Sequence, residues 1–138
     1  MTPFTFAGRA LALAGLACAF ASTFWTLSFA RLARKLGREP DTSPEDAASA
    51  AAGLAKFGTG LNLAGIALCL FSAFAITGVL AAKSLTMSQA ATLGVSSSPV
   101  QPLDVLIVQA NTNTLAAHFI ALCGSLRLQN RAEATAVA

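Results

Sequence analysis

Three uncharged runs, each long enough to cross a bilayer and each fenced by charge, limit what this chain can fold into. Residues 10–30 lie between Arg9 and Arg31, residues 57–82 between Lys56 and Lys83, and residues 105–126 between Asp104 and Arg127. A hydrocarbon core of about 30 Å takes about 20 helical residues at 1.5 Å rise each, and a helix satisfies its own backbone groups where no water can. The chain is therefore expected to be an all-α membrane protein of a single domain, residues 1–138, with three transmembrane helices. Composition agrees: 11% of residues are charged, against about a quarter in soluble domains.

The charges set an expected direction. With three crossings, the N-terminus and a loop over residues 83–104 share one side, which holds Arg9 and Lys83. The loop over residues 31–56 and the C-terminal tail share the other, with Arg31, Arg34, Lys35, Arg38, Lys56, Arg127 and Arg131. By the positive-inside rule the cation-rich side is stromal or cytoplasmic, so the C-terminus is expected there and the N-terminus outside or lumenal. Because the positive charges bracket apolar runs, the net charge of +3 reads as topology rather than as a nucleic-acid footprint. The first run has its cations mainly after it, which is the pattern of a retained span rather than a secretory signal.

Local signals refine the ends. Ser43, Pro44, Glu45 and Asp46 read as a helix start, with Ser43 as N-cap, Pro44 first in the helix and the two acids opposing its dipole. Residues 84–102 are punctuated by Ser, Gly and Pro and read as the opposite loop, and Pro102 and Asp104 as the start of the third helix. Gly8, Ala12, Gly15 and Ala19 in the first span, and Gly58, Gly60, Gly65 and Gly78 in the second, offer close helix approach. Cys18, Cys69 and Cys123 sit in three different runs with no ligand spacing and read as small buried hydrophobes.

The third run is the least lipid-like. It carries Gln109, Asn111, Thr112, Asn113, Thr114 and the chain's one histidine, His118. At 100° per residue, Gln109, Thr112 and Asn113 share one face, whereas Asp104, Asn111, Thr114, His118 and Ser125 share another. Polar groups at membrane depth face protein, water or ligand, so both faces are expected to be covered, one within the chain and the other by another subunit, a copy of the chain itself or a bound molecule. Asn62 in the second span lies within reach of His118 by helical rise. His118 has three readings: a neutral imidazole bonded to Asn62 or another helix, the axial ligand of a tetrapyrrole metal with Asn111 and Gln109 nearby, or part of a proton or metal pathway. Asn62, Thr112, Asn113 and Thr114 are the expected helix contacts. No metal cluster is expected. Nothing in the sequence supplies a carboxylate pair in the spans, a nucleophile with its base, or a phosphate-binding loop, so no enzymatic activity is expected.

The run 101–119, with its core Gln109-Ala-Asn-Thr-Asn-Thr114 and His118, resembles a family of cyanobacterial and plastid multi-span membrane proteins. Residues 125–131, 78–84 and 30–35 extend the resemblance over most of the chain. The family includes a chloroplast inner-envelope protein described both as a protein-import translocon component and as an iron permease. Its members typically carry four spans, and the one that would come first has no counterpart before Ala10. The resemblance implies a photosynthetic lineage and a plastid or cyanobacterial membrane.

The main functional expectation is a non-catalytic small subunit of a photosynthetic membrane complex, photosystem I with its antenna, in the thylakoid. Its partners would be other membrane subunits and lipids, and its candidate cofactors chlorophyll a and carotenoid. The alternative is a component of the chloroplast inner-envelope import translocon or an iron permease.

Overall fold

The computed structural model describes residues 3–36, 43–94 and 100–137. They form three helices, α1 (Pro3–Leu36), α2 (Pro44–Leu93) and α3 (Pro102–Val137), each long and apolar enough to cross a membrane. Among the described residues there is no strand. The expected spans lie inside these helices. Arg38 and Asp41 of the cation-rich loop fall outside the described residues.

Helix α2 is 50 residues long and has no internal proline to break it. Its start is the one the sequence signals: Ser43 is extended at φ −62° and ψ 145°, and its hydroxyl accepts the Asp46 N–H at 3.1 Å. Its end differs from expectation, because residues 84–93, read as loop, continue the helix. Ser84 and Thr86 donate their hydroxyls back to the Leu80 and Ala82 carbonyls, at 3.0 and 3.1 Å, so their polarity is absorbed by the helix. Gly94 ends it in the left-handed region at φ 67°, its N–H bonded to the Ala90 carbonyl. Helix α3 opens with Pro102, and the Asp104 carboxylate accepts the Gln101 N–H at 3.2 Å.

Helix α2 is the centre of the arrangement. It packs along both α1 and α3, which touch one another far less. Successive helices run antiparallel, since Gly8 meets Ala75 and Ile76 while Trp25 meets Leu54 and Phe57, and Lys83 meets Asp104 while Gly58 meets Ser125. The contact positions recur every seven residues. They are Gly8, Gly15 and Ser22 on α1; Ala48, Ala55, Asn62 and Cys69, with Gly58, Gly65 and Ser72, on α2; and Asn111, His118, Ser125 and Ala132 on α3. A seven-residue repeat keeps a straight seam between helices crossing at a shallow left-handed angle of about 20°. Gly60 and Gly78 lie off this repeat, and a Cβ at either would meet nothing, so they are not contact glycines.

The outer surface is what a lipid-facing bundle requires. Phe6, Phe20, Phe24, Phe71 and Phe74 are all at least 60% exposed. Among the described residues no large aliphatic side chain is buried; the largest fully buried side chains are those of His118, Asn62, Cys69 and Ser72. Small and polar contacts hold this bundle because lipid removes the hydrophobic drive between helices.

Candidate functional site: a polar seam through the bundle

His118 stands where all three helices meet, 1% exposed. Its Nδ1 lies 3.0 Å from Asn62 Oδ1 on α2, and its Nε2 lies 3.0 Å from the Gly15 carbonyl on α1. The ring crosses α2 at Gly65, where a Cβ would overlap the imidazole itself. Glycine is therefore required at position 65 for space rather than for backbone freedom. Asn62 is held in turn, donating Nδ2 to the Gly58 carbonyl at 2.8 Å, which leaves its oxygen facing the ring. Both ring nitrogens thus face oxygen, and a neutral imidazole with one N–H donates to one of the two at a time.

Further polar contacts stack along the same seam. The Asn111 Nδ2 donates to the Cys69 carbonyl at 2.9 Å, and the Ser72 hydroxyl donates to the Gly8 carbonyl at 2.9 Å. At Gly15 a Cβ would come within 2.7 Å of Cys69 Sγ, and at Gly58 within 2.9 Å of Ser125 Oγ. The two ends are closed by side chains as well. Lys83 bonds Asp104 at 2.9 Å at one end, and Trp25 donates Nε1 to the Leu54 carbonyl at 3.1 Å at the other, its ring 4.2 Å from that of Phe57. Among the described residues two buried side-chain oxygens have no hydrogen-bond partner, Asn111 Oδ1 in the seam and Thr59 Oγ1 on α2.

The expected site residues divide cleanly. Asn62, Asn111 and His118 are brought together inside the bundle, and Thr114 is half-buried with its hydroxyl bonded to the Ala110 carbonyl. Gln109, Thr112 and Asn113 are exposed, and their side-chain hydrogen bonds stay within α3. They sit on the side of α3 away from His118. There the Gln109 Nε2 donates to Asn113 Oδ1 at 2.9 Å, and Thr112 donates to the Val108 carbonyl at 2.9 Å. Among the described residues neither Thr112 nor Asn113 has a hydrogen-bond partner on another helix. Of the three cysteines expected to be buried, Cys69 is buried, Cys18 is half-buried and Cys123 is exposed. Ser22 and Ser72 are buried residues that the sequence reading passes over; their seven-residue offset from Gly15 and Gly65 is the signal that marks them. Among the described residues no cluster of three or more His, Cys, Asp or Glu side chains could hold a metal ion.

These features define a class: a three-helix integral membrane protein whose interior is a line of interhelical hydrogen bonds seated on glycines. The chain belongs to the family described as "Protein of unknown function (DUF3611)", whose profile matches residues 2–133. It is 40% identical over 133 residues to Protein TIC 21, chloroplastic, of Arabidopsis thaliana, an alignment covering 92% of this chain and 43% of that protein. The chain thus spans less than half the length of the relative it matches. No solved structure matches it.

The relationship overturns two expectations. The photosystem I subunit gives way to the alternative reading, and the thylakoid gives way with it, because a relative matching nearly the whole chain is TIC 21. Small size, close-packed spans and the lack of a catalytic set suit a subunit of any membrane complex, so they could not select between photosynthetic and import machinery.

Proposed function

We propose that this chain is a non-catalytic integral subunit of the import translocon of the chloroplast inner envelope, working through helix contacts with other membrane subunits and with lipid. The observation that carries this reading is the state of the seam. His118, Asn62 and Ser72 are each bonded to a neighbouring group inside one copy, so their polarity holds helices together rather than lining an open path. The relationship to TIC 21 supports the membrane and the machinery. The test is purification of the tagged chain from envelope membranes in mild detergent, paired with import of a labelled precursor into plastids depleted of it. Co-purified translocon subunits and slowed import are expected. A chain that purifies without them from plastids that import normally would sink the proposal.

A second reading, an iron permease, is favoured by the unsatisfied Asn111 Oδ1, an acceptor buried at membrane depth beside Cys69. Purified chain in sealed vesicles tests it directly. Iron uptake that Asn111→Leu abolishes supports the permease, and vesicles no leakier than empty ones refute it.

A further inference from the structure

The outer face of α3 is polar where lipid offers no partner. Gln109 and Asn113 lie roughly 7 and 13 Å inside the Asp104 boundary by helical rise, and both are exposed. Their mutual bond uses one donor of Gln109 and one lone pair of Asn113. It leaves the Gln109 oxygen without a donor and the Asn113 amino group without an acceptor, and such groups are costly in hydrocarbon. Gln109 is nine residues from His118, which at 100° per residue is the opposite side of the helix. Two positions per seven residues continue along that side: Gln109, Ala116 and Cys123 in one row, Asn113, Ile120 and Arg127 in the other. All six are exposed. This is the same seven-residue spacing that α3 uses against α2, repeated on an exposed face.

We propose that this face binds a second copy of the chain, α3 against α3, about a two-fold axis along the membrane normal. Copies inserted with the same topology present parallel α3 helices, and a seven-residue seam is the pattern by which parallel helices pack at a shallow left-handed crossing. The chemistry favours a second copy over lipid. The Asn113 amino group of each copy donates to the Gln109 oxygen of the other, closing four amides into a ring in which each donates once and accepts once. Lipid tails supply neither group. Ala116, one turn on, is small enough for close approach, and Arg127 lies at the headgroup boundary, where its length carries the charge to water. The dimer is independent of the function proposed above, which concerns other subunits and stands or falls on its own test.

The experiment is energy transfer between donor- and acceptor-labelled full-length chains, labelled at the amino terminus, in phosphatidylcholine vesicles over a series of lipid dilutions. Copper–phenanthroline oxidation of Cys123 provides a second readout. Wild type is expected to transfer energy and to form a Cys123 disulfide dimer that Cys123→Ser eliminates. Replacing Gln109 and Asn113 together by Leu lowers the association constant by about tenfold, since only the interhelical amide bonds are removed. The exchanged pair, Gln109→Asn with Asn113→Gln, retains association. Unchanged far-ultraviolet helicity and Trp25 emission certify folding, because Trp25 lies on the α1–α2 contact away from this face. A wild-type chain that stays monomeric overturns the proposal, even if it then captures a different membrane subunit. So does a double-Leu variant that associates as well as wild type.

Discussion

The two sides of α3 carry similar residues to different ends. On the inner side Asn111 and His118 are buried and bonded to other helices, whereas on the outer side Gln109 and Asn113 are exposed and bonded only to each other. Amide content alone does not distinguish them. What does is the presence of a receiving surface: α2 offers Gly65, Asn62 and the Cys69 carbonyl at the right heights, whereas among the described residues Gln109 is hydrogen-bonded only to Asn113 of its own helix. A polar residue in a span thus marks a contact, and only the neighbouring helix decides whether that contact is internal.

The contrast can be broken most severely at the glycine seat. Gly65→Val places side-chain carbon where the imidazole lies and is expected to destabilise the monomer by about 3 kcal/mol, measured by denaturant titration of Trp25 fluorescence in micelles. A variant that unfolds at the wild-type midpoint would mean that the ring does not occupy the notch. Truncating the ring is expected to cost somewhat less. His118→Ala removes a buried side chain and both of its contacts, for a loss of about 2 kcal/mol in the same titration. Asn111→Leu sharpens the picture within the inner face, because it gives up one bond but also removes the unsatisfied Oδ1. Its net effect is expected to lie within about 1 kcal/mol of zero. On the outer face, Gln109→Ala with Asn113→Ala removes a single exposed i,i+4 pair. At micelle dilutions where the chain is monomeric, it should shift stability by about 0.5 kcal/mol at most. A loss there as large as that of His118→Ala would erase the distinction between the faces.

Much of this was legible beforehand. Uncharged length predicts the three helices, the Ser43 cap is read from local chemistry alone, and helical rise brings Asn62 within reach of His118. The separation of α3 into two polar faces also follows from its 100° periodicity. What the sequence conceals is which small residues act. Gly58 and Gly60 are alike in composition, yet only Gly58 meets a neighbour, because contact follows the seven-residue beat set by the partner helix. The continuation of α2 to Leu93 is hidden for a related reason: Ser and Thr suggest a loop in isolation, and their hydroxyls turn back on the helix once it has formed. The identity of the membrane is not encoded in packing at all, and relationship rather than physics corrects the thylakoid expectation.

The length of α2 has a mechanical consequence. At 1.5 Å per residue it is a rod of about 75 Å, more than twice the thickness of the hydrocarbon it crosses. It is held at Gly65, where His118 is keyed, and again toward both ends, at Leu54 by Trp25 and at Lys83 by Asp104. Any displacement of α2 is therefore shared with α1 and α3, and its Leu93 end stands about 15 Å beyond the Lys83–Asp104 pair as an extension of the bundle as a whole.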